Sequence, residues 1–136
     1  MILRSLDDTR ELARTLLERM GTGSLLLLQG GMGAGKTTLV AALAKELGST
    51  ASVSSPTYTL IHEYPTPQGT LVHIDAWRLS SAADLLDTGL DEYLDHARLV
   101  AVEWGEGLSG HYPEAVLVKL EVIADGQRQV QIEGLK

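Results

Sequence analysis

Apolar positions change their period several times along the chain, and each change marks an element. Leu12, Leu16, Leu17 and Met20 recur at the spacing that lines one side of a helix. Ser5, with Asp8 three residues on, supplies the start of that helix, and Gly21 and Gly23 its stop. Leu25–Gln29 is instead a continuous apolar run up to its last residue, as in a strand buried on both faces of a parallel sheet. Helical spacing returns over Lys36–Leu47, with Leu39, Val40, Leu43, Ala44 and Leu47 on one side and Gly48 as the stop. Ser49–Pro56 is small and polar and reads as a loop. Tyr58–Tyr64 and Leu71–Asp75 read as strands joined by a turn at Pro65–Gly69. Ser81 with Asp84 opens a short helix, broken at Gly89 and resumed through Leu94. Arg98–Glu103 carries a second buried run, Leu-Val-Ala-Val, that ends in an acid. After Pro113, the residues Val116, Val118, Leu120 and Val122 alternate with others, and Asp125-Gly126 turns the chain into Gln127–Glu133.

Buried strands separated by helices predict an α/β layer fold. The alternating C-terminal hairpin adds antiparallel strands at one side. Together with the motif Gly30-Gly31-Met32-Gly33-Ala34-Gly35-Lys36-Thr37 between the first buried strand and its helix, this predicts a three-layer, P-loop NTPase-like fold with a mixed, mainly parallel central sheet. No repeat or linker interrupts the 136 residues, so residues 1–136 read as one domain. Its core has to rest on Leu, Val, Ile and Ala, because Phe is absent and aromatic residues make up only 4%.

Charge and composition remove several function classes. Without Cys there are no disulfides or thiolate metal sites, which agrees with a reducing cytoplasm. The first residues are acidic where a signal peptide is apolar, and no apolar run approaches the ~20 residues that span a bilayer. A cytoplasmic protein with no membrane attachment is expected. A net charge of −7 argues against tight nucleic-acid binding by this chain alone, since phosphate neutralisation dominates such affinity.

Gly30-Gly31-Met32-Gly33-Ala34-Gly35-Lys36-Thr37 satisfies G-x-x-x-x-G-K-[ST] in full. Glycines let the backbone fold back and aim successive N–H groups at phosphate oxygens. The start of the following helix adds unpaired N–H groups and the positive end of its dipole. Lys36 brings a charge to the outer phosphates, the Thr37 hydroxyl suits Mg²⁺, and Thr38 suits the inner phosphate. A metal in such a site needs a second ligand, usually an acid ending a neighbouring strand. Both Asp75 and Glu103 meet that description, and periodicity does not choose between them. Thr57 lies in a Ser-Pro-Thr-Tyr loop after the P-loop helix, where switch-type proteins place a hydroxyl near the γ-phosphate. A plain turn shaped by Pro56 is the other reading. No Lys is followed two residues later by Asp, so the guanine-reading element of small GTPases is absent and ATP is favoured.

The four His have no metal-site spacing. Period two points His73 and Asp75 to one sheet face, so His73 is either a structural histidine or an orienter of Asp75. Trp77 and Trp104 follow the two candidate acids and read as strand-end packing or as part of a partner surface.

The segments GGMGAGKTTL, SPTYTLIHEY, HIDAWRL and VEWGE, in that order, resemble the TsaE family of small bacterial ATPases required for threonylcarbamoyladenosine formation on tRNA. The resemblance runs from the helix near Asp8 to the C-terminal hairpin. It implies that Thr37 and Glu103 ligate Mg²⁺, and that Gly33, Ala34, Gly35, Lys36, Thr37 and Thr38 surround the phosphates of ATP. It further implies that Asp75 is the critical acid and that Thr57 is a switch residue at the γ-phosphate. The adenine is expected between the segment around Leu6 and the turn around Gln127. The implied partners are the TsaD–TsaB pair, with tRNA engaged indirectly and the transfer itself done by TsaD. Two departures stand out: Gly-Gly-Met-Gly replaces the family's Gly-Asp-Leu-Gly, and Trp77 replaces the Tyr before Arg78. The first leaves the cradle intact, and the second bears on partner contact. A small-molecule kinase is the alternative. It would need a lid with arginines, and past the P-loop only Arg78, Arg98 and Arg128 are present. A fold that holds nucleotide as a structural ligand without hydrolysis is a third reading.

Overall fold

A computed structural model describes residues 1–31, 33–51, 53, 61–75, 89–104, 108 and 110–135. The elements are β1 (Ile2–Leu3), α1 (Leu6–Arg19), β2 (Ser24–Gln29), α2 (Lys36–Glu46), β3 (Ile61–Tyr64), β4 (Leu71–Asp75), α3 (Leu90–His96), β5 (Leu99–Glu103), β6 (Val116–Ala124) and β7 (Gln127–Glu133). The strands make one sheet in the order β1-β7-β6-β2-β5-β4-β3. Its centre, β6-β2-β5-β4, is parallel, and β7, β1 and β3 pair antiparallel at the two sides.

Period two along the strands divides the core into two layers. Leu26, Leu28, Leu71, Leu99, Ala101 and Val118 face one way and form a cluster with Leu12 and Leu16 of α1 and Leu39 and Leu43 of α2. Leu25, Leu27, Val72, Ile74, Val100 and Val102 face the other way and cluster with Leu90 of α3. Helices therefore cover both faces, as the continuous apolar runs of β2 and β5 require. The α/β fold with a mixed, mainly parallel sheet and a C-terminal hairpin is the one expected. Among the described residues no helix is long and apolar enough to cross a membrane.

Local chemistry sets the element ends. The Ser5 hydroxyl accepts the Asp8 N–H at 3.2 Å, and the Asp8 carboxylate accepts the Arg4 N–H at 2.8 Å, so two donors at the start of α1 are satisfied. The Pro65–Gly69 turn closes through the Gly69 N–H on the Thr66 carbonyl at 3.1 Å. Strand β1 was not anticipated: two residues are too few to show a period, and its pairing with Arg128 and Gln129 of β7 crosses nearly the whole sequence. Helix α3 begins after Gly89, in the left-handed region at φ 92°, and extends past the expected Leu94 to His96. The expected helix start at Ser81, much of the Ser49–Pro56 loop and the first residues of the Tyr58 strand lie outside the described residues.

The glycine that leaves β2 is fixed by crowding. A Cβ on Gly30 would sit 2.5 Å from the Leu120 carbonyl oxygen of β6, whereas one on Gly31 meets nothing within 4 Å among the described residues. Gly30→Ala is expected to destabilise the protein by about 1–3 kcal/mol, the usual range for forced overpacking. Gly31→Ala should be nearly neutral. Urea unfolding midpoints of the two variants check the contrast.

Candidate functional site

Parallel strands β2, β5 and β4 all deliver their carboxyl ends to one edge of the sheet, where open α/β sheets bind ligands. There β2 runs into Gly30, β5 ends at Glu103 and β4 ends at Asp75. Asp75 and Glu103 are direct cross-strand partners. A cavity of about 470 Å³ opens over them, lined also by Gly33, Lys36, Thr37 and Thr38. That volume lies within the ordinary range for small-molecule sites.

The glycine loop wraps the cavity by adopting backbone that other residues avoid. Gly33 has φ 78° and Gly35, the residue before α2, has φ 102°. Within the loop the Ala34 N–H bonds the Gly31 carbonyl at 3.1 Å. The first turn of α2, at Lys36, Thr37 and Thr38, has no preceding helical carbonyls for its N–H groups, which makes it an anion-binding end.

Two charged side chains are buried beside this loop, and buried Lys and Glu require partners. Lys36 is 5% exposed. Its ammonium donates to the Gly30 and Gly31 carbonyls and lies 3.7 Å from the centre of the Trp104 ring, in cation–π contact. Trp104 reaches that position through a left-handed backbone, φ 64°, unique among the described non-glycine residues. Its N–H bonds the Leu28 carbonyl at 3.1 Å, one step past the β2–β5 ladder. Such a conformation costs on the order of 1–3 kcal/mol and is kept where surroundings impose it.

Glu103 is also 5% exposed. The Thr37 hydroxyl donates to its Oε2 at 3.0 Å, and His73 Nε2 meets the same oxygen. Burial alone pushes the carboxyl pKa up. The His73 hydrogen bond and charge, the Thr37 hydrogen bond and the nearby Lys36 charge outweigh that and hold it below the ordinary value of 4.5. Thr37 and Glu103 thus present only oxygen, one of them on an ionised carboxylate, at the floor of the cavity. That donor set suits a hard divalent cation such as Mg²⁺.

A second cavity of about 240 Å³ adjoins the first and shares Ala34, Gly35, Thr38 and Arg128 with it. Leu3, Leu6 and Gly126 contribute to its lining. The structure therefore gathers Gly33, Ala34, Gly35, Lys36, Thr37, Thr38, Asp75 and Glu103 at one cavity and places Leu6 at the next. Gln127 lines neither, although its neighbours Gly126 and Arg128 do. Thr57 lies outside the described residues. His73 reaches Glu103, a partner the sequence did not point to.

Two residues that line the first cavity escaped sequence reasoning as part of the site. One is Trp104, visible there only as the residue after a candidate acid. The other is Arg128, which donates to the Gly33 and Gln127 carbonyls, each at 3.1 Å. Its buried Nε has no hydrogen-bond partner among the described residues. Its position two residues past the hairpin turn was the sole signal available.

A glycine loop between a central parallel strand and a helix, with two acids at the ends of the neighbouring strands, defines a P-loop NTPase-like domain. The structure is similar to the crystal structure of Bacillus subtilis YdiB, with a TM-score of 0.79 and 26% identity over 100% of this chain and 84% of that one. The family model for threonylcarbamoyl adenosine biosynthesis protein TsaE matches residues 3–131. The chain belongs to the TsaE family, which acts in tRNA threonylcarbamoyladenosine biosynthesis. It is 36% identical to the tRNA threonylcarbamoyladenosine biosynthesis protein TsaE of Treponema pallidum, over 96% of this chain and 97% of that one. It is likewise 36% identical to the protein of that name from Aquifex aeolicus, over 97% and 93%.

A carboxylate whose folded pKa is lowered stabilises the fold above its unfolded value and loses that contribution as pH falls through the folded one. Glu103 is of this kind. The stability difference between the parent and Glu103→Gln, measured by urea unfolding without divalent metal, should be largest at neutral pH. It should narrow as pH drops below 4.5.

Proposed function

We propose that this chain is a Mg²⁺-dependent ATPase of the cytoplasmic tRNA threonylcarbamoyladenosine machinery, acting through the TsaD–TsaB pair rather than carrying out the transfer. The observation that carries the ATPase reading is the convergence of Lys36, Thr37, Asp75 and Glu103 on one cavity at the carboxyl edge of the sheet. The partner assignment rests on family membership. It fits the acidic charge of the chain, which leaves tRNA to be held by the partners.

In this reading the triphosphate lies along Gly33–Thr38, and the Lys36 ammonium exchanges its loop carbonyls for the outer phosphate oxygens. Thr37 and Glu103 hold the Mg²⁺, which when bound offsets phosphate charge as the terminal bond breaks. Asp75, which lines the same cavity at the same level on the adjacent strand, orients the attacking water. The adenine occupies the second cavity beside Leu6, with the hairpin turn near Gln127 and Arg128 on its other side.

Hydrolysis should be feeble for the isolated chain and rise when TsaD–TsaB is added, as read by phosphate release. No change on adding the partners would remove the partner assignment. Lys36→Ala should weaken ATP binding roughly ten- to a hundredfold, because a charge-assisted hydrogen bond is worth about 1.5–3 kcal/mol. Asp75→Ala should bind ATP like the parent while slowing hydrolysis by about 10²-fold or more, the usual scale of positioned proton-transfer groups. Calorimetry paired with single-turnover hydrolysis separates the two effects.

A further inference from the structure

His73 is completely buried in β4, on the sheet face covered by α1 and α2. Its own-strand neighbours on that face are Leu71 and Asp75, and its direct cross-strand partners are Ala101 on β5 and His62 on β3. A fully buried imidazole is costly unless its nitrogens are satisfied. Here Nε2 goes to Glu103 Oε2, and Nδ1 is buried with no hydrogen-bond partner among the described residues. Strand register explains the reach: Asp75 lies opposite Glu103, so His73 sits diagonally across from the carboxylate, two residues back on the next strand.

We propose that His73 is a positioning residue for the divalent cation, its Nε2–H clamping the Glu103 carboxylate against the Thr37 hydroxyl so that both oxygen ligands are preset. The inference rests on the proposed role of Thr37 and Glu103 as metal ligands. The nitrogen that faces an ionised carboxylate carries the hydrogen, so Nε2 is the donor to Glu103. Both donors converge on Oε2, and a carboxylate has about four lone-pair sites, so it keeps acceptor capacity for a cation. Without the His73 donor the carboxylate keeps only the Thr37 hydrogen bond, and a cation then has to complete its ordering on binding. Hydrogen bonds of this kind, one step removed from a metal, typically change its affinity by about 10–100-fold.

The test is calorimetric titration of ATP at graded Mg²⁺ and in EDTA, for the parent, His73→Leu, His73→Gln and Glu103→Ala. His73→Leu should raise the Mg²⁺ concentration for half-saturation about 10–100-fold. Its ATP affinity in EDTA should stay at the parent level. His73→Gln, which restores an N–H donor near the Nε2 position, should recover most of the Mg²⁺ response. An unchanged Mg²⁺ requirement in His73→Leu, or an equal loss with and without the metal, overturns the role of His73. Glu103→Ala tells the two ideas apart. If it loses the Mg²⁺ response while His73→Leu keeps it, the positioning role alone fails; if it keeps the response, the metal assignment fails and His73 with it. Should His73→Leu not fold, ¹⁵N NMR of the parent imidazole decides: Nε2 must be protonated and must shift when Mg²⁺ joins the nucleotide complex. A ring protonated at Nδ1 alone, or one indifferent to Mg²⁺, contradicts the proposal.

Discussion

A carboxylate that stays ionised inside a protein has to be met by donors, and most of the site follows from how Glu103 meets this need. Left alone, a buried charge costs several kcal/mol. Here one donor comes from the first turn of α2, through Thr37, and one from the middle of β4, through His73. Glu103 thereby ties two strands to the helix that follows the glycine loop. Because Thr37 is held, the neighbouring Lys36 is held too, and the loop before it has little freedom in where it starts and ends.

The sheet makes that convergence possible through register. On β4 and β5, alternate residues turn to the face covered by α1 and α2, which brings His73, Asp75 and Glu103 into the same layer. On β5 only the last residue enters the site, whereas β4 contributes His73 from its middle and Asp75 from its end; the other positions of both strands are apolar packing. Past Glu103 the backbone at Trp104 is left-handed, and the indole lies over the Lys36 ammonium. One strand end thus supplies both the anionic partner of Thr37 and the aromatic partner of Lys36.

Much of the fold was legible because its strands are either continuously apolar or strictly alternating. Leu71–Asp75 and Gln127–Glu133 have the boundaries their patterns predict. The glycine loop was legible for a different reason: its motif is local, so spacing alone specifies it. What sequence could not supply are contacts between distant positions. The choice of Glu103 by His73 depends on the register of two strands joined by a long crossover. The bond from Arg128 to Gly33 spans 95 positions and exists only because the hairpin carrying β7 packs beside the loop. Strand β1 has no pattern of its own and is defined by its partner. The left-handed turn at Trp104 has no signature in residue type, since it is imposed on a tryptophan that would not favour it.

The central claim is that Thr37 and Glu103 form a metal site at the foot of a phosphate cradle. A crystal structure with Mg²⁺ and a non-hydrolysable ATP analogue tests it most directly. The account predicts a cation about 2.1 Å from the Thr37 hydroxyl oxygen, held also by the Glu103 carboxylate directly or through one water. The triphosphate should lie along Gly33–Thr38, and the Lys36 ammonium should have left the loop carbonyls for a phosphate oxygen. A nucleotide seated elsewhere, or a cation that touches neither side chain, would contradict it.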